Sequence, residues 1–501
     1  MRRRVIPVFL VTMALWAAGA LYAQVKDPIP GQPPKKGLSA EIKDVVRLPD
    51  SRPRKPGTEE PRLEEGWARI SFIRDSPDGR RFVNDSRGSL FILDRSNKLA
   101  LYTNVATAFP LIYLGSLESG FISFEFHPEF AKNGLFYTLH TESGPGNPKA
   151  PNFIPPGFTR ANVTYEMVVT EWHTAKPAAG TFEGTRRELL RVGQVTELHR
   201  HPIGDMQFNP TSKPGDREYG LLYISGGDTG FSNGGKGGEN PTQTQRLDTI
   251  ATAVLRIDPR SPSVTKGIKG LGDYTIPAFN KFAADNDPKT LGEIYAYGFR
   301  NAHRMSWDLT DGTMFVSDIG MSTVEEINIV HEGNNYGWMQ REGTWDNGIN
   351  MPGKHLEQVF PLPADILSGK TKDKFTYPVA MVDHDGNRTA IAAGFAYRGR
   401  LPALRGKFVF GEIVSGRLLA ADLAAMKAAD DGIPQTVAPV EEVQLYVKDA
   451  SGAKTNVTLI ELITKAMGSK PPRADMHVHR GRDGELFITS RQDGWIRTLV
   501  P

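Results

Sequence analysis

An all-β fold, a six-bladed β-propeller with a short helical insertion near the C-terminus, is what the sequence predicts, on three observations. After Trp67 the chain consists of short alternating apolar runs broken by Gly, Asp and Asn, which is the texture of strands and turns. A Gly leading into a β-rich run recurs six times, at Gly88, Gly134, Gly220, Gly312, Gly406 and Gly484, and most intervals have room for a four-stranded blade. Few segments read as helical; the clearest are residues 419–429 and 458–467, and both fall in a late insertion. A sandwich or a solenoid is compatible with the same strand pattern.

The elements follow in order. Residues 1–23 have the layout of a cleaved secretory signal: Arg2 to Arg4 form a basic start, Val5 to Ala20 is apolar, and small residues lead to expected cleavage after Ala23. The apolar run is shorter than the ~20 residues a spanning helix needs, so no membrane span is expected after cleavage. A periplasmic or secreted location follows, and with no Cys in the chain its stability there must come from packing. Residues 24–65, rich in Pro, Lys, Arg and Glu, read as an extended arm, and residues 66–501 as the propeller. The formal charge of +3 is carried by the three signal arginines, so the remaining chain is neutral. Such a chain offers no electrostatic case for nucleic acid or an anionic membrane as partner.

In a propeller the strands near the axis deliver polar end residues to a central funnel, and Asp94, His140, Asp228, Asp318 and Glu412 stand at the ends of the repeated runs or just beyond. Two His-x-His pairs, His199 with His201 and His477 with His479, put both rings on one face of a strand. Zinc is disfavoured there because no Cys is present to complete a ligand set.

Eight segments recur in the order of a known family. They are Gly120 to Phe130, His201 to Pro210 (His-Pro-Ile-Gly-Asp-Met), Gly220 to Asp228 (ending Ser-Gly-Gly-Asp), Val254 to Pro259, Glu293 to Asn301 (ending Gly-Phe-Arg-Asn), Glu325 to Asn328, Gly333 to Trp338 and Tyr397 to Gly399. In these the chain resembles the soluble glucose and sorbosone dehydrogenases, six-bladed propellers that use pyrroloquinoline quinone (PQQ) and calcium. The resemblance implies a PQQ-dependent sugar dehydrogenase that oxidises an aldose hemiacetal or aldehyde to a lactone or acid and passes electrons to a periplasmic acceptor such as a cytochrome. It implies His201 as general base, Asp228 as the group orienting it, and Arg300 as the cation that polarises the quinone, with Asn301 beside it. Such chemistry needs a base for the hydroxyl proton and a cation where charge develops.

The resemblance also implies calcium on the carbonyls of Gly320 and Met321, and a second ion held by Glu326 and Tyr336, where oxygen ligands suit calcium. Asp383 to Asn387 reads instead as a hairpin turn near the mouth. The Lys and the Arg pair that grip the quinone carboxylates in described members fall on Val414, Ala474 and Met476 here. Arg417, His477 and Arg480 are the expected replacements, with Arg304, Arg473, His479 and Arg482 nearby. Glu118 stands where an amide is found, and His303 is expected only to line the pocket. Loss of the usual anchors leaves a second reading, a non-redox propeller that binds a glycan or protein partner; a lactone hydrolase is a third.

Overall fold

Strand-forming runs and turn residues together build the β structure expected, but the sheets are joined differently. The computed structural model describes residues 24–116, 118–196, 200–231, 243–285, 287–321, 323–349, 358–384 and 389–500. The expected signal segment, residues 1–23, His199 and residues 385–387 of the expected hairpin turn lie outside them. Four sheets have four strands each: Ile70–Asp75 to Leu99–Asn104, Phe121–Phe126 to Thr185–Gln194, Ile203–Phe208 to Ile294–Tyr297, and Ala302–Trp307 to Ala380–Asp383.

The expectation of six blades is corrected by the remainder of the chain, which forms one nine-stranded sheet. Ser39–Arg47, from the Pro-rich arm, pairs in parallel with Val440–Lys448 and antiparallel with Trp495–Val500, joining two strand groups edge to edge. The physical reason is the open edge on each group, which a strand with free N–H and C=O groups on both sides satisfies. The eight-strand path of this sheet runs from Ile391–Ala396 to Met476–Arg480, and these two end strands lie against each other, so it nearly closes.

The first strands of the four small sheets and the two end strands of the large one pack in sequence around a central tunnel. Their C-terminal halves line one cavity together, so their N-terminal ends face the opposite mouth. Strands such as Leu222–Gly226 are buried along their whole length because apolar layers fill the space on both faces.

Two local expectations change. Gly88 leads into the third strand of its sheet, whereas the position matching the other repeats is Gly79, which turns at φ 92° into Arg81–Asp85. Asp94 is therefore exposed in a turn, accepting from the backbone of Ser96 and Lys98, and not at the funnel. Residues 419–429 split into a strand, Leu418–Asp422, and a helix, Leu423–Ala428, because pairing with Lys407–Glu412 overrides the helical preference of the alanines. The helix Leu459–Met467 forms with a reciprocal Thr458–Glu461 cap and ends at Gly468.

Candidate functional site at the tunnel mouth

His201 precedes the first strand of the third sheet, Asp228 follows the second, and Arg300 precedes the first strand of the fourth. Antiparallel pairing places a strand's end beside its neighbour's start, so residues far apart in sequence meet at one mouth. His201 Nδ1 lies 2.7 Å from Asp228 Oδ1, with the His ring 7% exposed and the carboxylate fully buried. Asp228 also accepts from the Gly230 N–H at 2.9 Å and from the Trp338 indole at 3.3 Å, so the carboxylate is fixed on several sides. An imidazole whose Nδ1–H donates to a carboxylate presents Nε2 as its basic atom, the arrangement a general base requires.

The backbone of His201 has φ 51°, a left-handed conformation uncommon for a residue with a side chain. Its N–H donates to Glu118 Oε2 at 2.6 Å, so Glu118 holds this turn. The Arg300 carbonyl accepts from Asp228 N–H at 2.7 Å, tying the two loops together. The Arg300 guanidinium donates to the carbonyls of Ile319 (2.9 Å) and Gly320 (2.6 Å) and lies 5.7 Å from the Trp338 ring. Asp318 accepts from the backbone N–H groups of Arg300 at 3.0 Å and Asn301 at 2.6 Å. Burial pushes the Asp318 carboxyl up to about 7, against those N–H bonds and the nearby Arg300 charge.

A group of basic residues lines the same mouth. The rings of His303 and His477 are 5.6 Å apart, and both have a buried Nδ1 with no hydrogen-bond partner among the described residues. Burial, reinforced by Arg304 and Arg491, holds both imidazoles well below their usual range, so both are neutral. Burial lowers Arg491 to about 10, which leaves it charged near neutrality. Val414, Ala474 and Met476 also converge, since Ala474 N–H donates to the Val414 carbonyl at 2.7 Å, but Ala474 and Met476 are sealed in an apolar cluster.

Other expected residues are placed elsewhere. Arg417 is engaged by Gln32 of the arm and lies 3.8 Å from Glu412. Arg480, Arg482 and His479 line the cavity at the far mouth, because the strand Met476–Arg480 runs down the tunnel at about 3.3 Å per residue. Met321 N–H donates to Glu342 Oε1 at 2.9 Å, as does Thr323 N–H. Glu326 accepts from Gly343 N–H and Asn328, and burial, with the charge of Asp318, raises it to about 8. The Tyr336 hydroxyl donates to the Ile329 carbonyl at 2.8 Å and accepts from His331 N–H at 2.9 Å.

The donor sets fit the implied groups unequally. Neutral imidazoles with unpartnered nitrogens beside Arg491 and Arg473 suit a flat molecule bearing carboxylates, as a quinone cofactor of the PQQ type does. Calcium fits less well: the Gly320 carbonyl already faces Arg300, whose charge opposes a cation there, and Glu326 and Tyr336 have separate partners. No group of three or more His, Cys, Asp or Glu residues arranged for a metal exists among the described residues. Trp338 and Arg491 are the site residues that sequence reasoning missed. Arg491 stands just past the last repeated run, which is the rule that located Asp228.

A family model described as glucose/sorbosone dehydrogenase matches residues 63–443. The HIPL1 protein of Arabidopsis thaliana is 26% identical over 326 residues, covering 59% of this chain and 43% of its own length. The chain thus spans under half the length of the first curated relatives it matches. The crystal structure of the soluble aldose sugar dehydrogenase from Escherichia coli, in the apo form, aligns over 92% of this chain and 100% of that one, with a TM-score of 0.57 at 17% identity. The PQQ-bound aldose sugar dehydrogenase from Streptomyces coelicolor aligns over 93% and 99%, with a TM-score of 0.50 at 16% identity. These structures agree with the fold, and the family model covers well over half of the sequence: the chain belongs to the glucose/sorbosone dehydrogenase family.

Proposed function

We propose that the protein is an exported PQQ-dependent sugar dehydrogenase, oxidising the hemiacetal of an aldose to a lactone or the hydrate of an aldehyde to an acid. The observation that carries this reading is the His201–Asp228 pair at 2.7 Å with Arg300 on the adjoining loop. PQQ, when bound, supplies an acceptor for the two electrons and the hydrogen that leave the sugar C1.

The protein's own residues do the rest. His201 Nε2 takes the hydroxyl proton, and Asp228 keeps the tautomer that makes Nε2 the base and stabilises the imidazolium that forms. Arg300 places positive charge where the acceptor gains electron density. Trp338 and Gly230 hold Asp228 in place, and Glu118 holds the His201 backbone. Arg491, His303 and His477 bind the carboxylates that the apolar side chains of Val414, Ala474 and Met476 cannot. A sugar is the expected substrate, and a periplasmic electron carrier such as a cytochrome the expected partner. Among the described residues no helix is long and apolar enough to cross a membrane.

The test is titration of the full chain with PQQ, followed by absorbance, and then a panel of aldoses with a dye acceptor. Binding with sugar-dependent dye reduction is expected, and Arg491→Gln should weaken quinone binding at least about tenfold, the worth of one charge-assisted contact. Binding by neither protein, with no dye reduction, would favour the non-redox reading.

A further inference from the structure

We propose that the cavity at the end of the tunnel opposite His201 is a second ligand site, for a small organic monocarboxylate with a flat apolar body. The cavity measures about 490 Å³, within the range that holds small molecules. Phe72, Phe126, Phe208 and Phe395 wall it, and the buried Arg304 and the half-buried Arg74 and Arg480 supply its positive charge.

The ion pairing around it is uneven. Arg74 is matched, lying 2.8 Å from Glu125 and also bonded to Asp205. Asp75 is taken by Arg81 at 2.6 Å, and Arg482 is exposed with its side chain on the Pro77 carbonyl. Arg304 and Arg480 have no carboxylate within ion-pair distance among the described residues. Arg304 is 3% exposed and bonds to the carbonyls of Gly204 and His303 and to Ser71 Oγ, while its Nε has no hydrogen-bond partner. Arg480 makes one long bond, 3.3 Å, to the Trp307 carbonyl. His479 is satisfied, accepting from Ile73 N–H and bonded to Thr489 Oγ1, so it does not compete for an anion.

Burying the Arg304 guanidinium with no carboxylate in ion-pair distance is costly, and an anion in the cavity, which the half-buried Arg480 also lines, offsets that cost. The four phenylalanine walls favour a flat apolar body behind the anion. Asp205 and Glu125 share the cavity and oppose a second negative charge, which selects a monoanion over a phosphate or dicarboxylate. The site is separate from the His201 mouth: Ser71 Oγ, bonded by Arg304 at 3.4 Å and by Arg491 at 3.2 Å, marks the floor between them.

The test is isothermal titration calorimetry of the full chain with benzoate, and with benzamide as its uncharged counterpart. Benzoate is expected to bind one to one with Kd between roughly 0.1 and 1 mM, and benzamide at least about tenfold more weakly. Arg480→Gln should weaken benzoate about tenfold, and Leu309→Trp, at a half-exposed position on the cavity wall, should block it, whereas His201→Ala at the other mouth should leave benzoate affinity unchanged. Circular dichroism checks each variant's fold, and if Arg480→Gln fails to fold, Leu309→Trp decides. The proposal is overturned by absence of heat up to about 10 mM benzoate, by benzamide binding equally well, or by a loss caused by His201→Ala in place of the cavity variants.

Discussion

At the scale of single residues, the chemistry rests on how firmly one imidazole is held. Asp228 receives bonds from the His201 ring, the Gly230 N–H and the Trp338 indole, which together leave its carboxylate one orientation. Asp228→Asn keeps the shape but lets the ring take the other tautomer, with its proton on Nε2. Turnover should then fall on the order of a thousandfold with quinone binding unchanged, as read by steady-state assay beside absorbance titration. His201, Asp228 and Arg300 are legible in the sequence through the family resemblance, each standing in one of its short motifs beside a strand end. Trp338 is not, since its importance comes from which loops meet across the tunnel, while Arg491 has the weak signal of standing just past the last repeated run. Arg480 was misplaced for a related reason: three residues along an inner strand carry a side chain from one mouth toward the other.

At the scale of elements, ion pairs to one buried carboxylate fasten the fourth sheet to the large one. Asp308, directly after Ala302–Trp307, lies 2.7 Å from Arg398 and 2.6 Å from Lys427, both contributed by the large-sheet segment. Burial alone would raise its carboxyl, but these two cations and the Thr310 N–H hold it down to about 2. A carboxyl lowered in the folded state contributes stability that is present above about pH 4 and lost as pH falls through about 2. Asp308→Asn should therefore lower stability by about 2 kcal/mol near neutrality, and the gap to the unaltered protein should narrow as pH approaches 2; urea denaturation across that range measures it. Strand positions were readable from alternation and turn glycines. The split of residues 418–428 into strand and helix was not, because an alanine-rich run satisfies a helix locally and becomes a strand only when Lys407–Glu412 lies alongside.

At the scale of the whole molecule, the arm strand Ser39–Arg47 sits inside a sheet rather than at its border. Ala40 and Ile42 are each 2% exposed, and the strand pairs on both sides. Removing residues 24–47 should expose two sheet edges, lower the melting temperature by more than about 10 °C and promote aggregation, as followed by calorimetry and light scattering. Composition and repeats made the all-β character visible. The joined sheet was invisible because low periodicity and many prolines conceal a strand whose partners lie some 400 residues away in the chain. The account as a whole stands on His201 as the base at the mouth where the tunnel strands begin. The most direct measurement compares the unaltered protein with His201→Ala, recording PQQ affinity and aldose-dependent dye reduction in the same preparation. The account predicts quinone affinity within about twofold and turnover reduced at least about a thousandfold; sugar oxidation at an undiminished rate in the variant would contradict it.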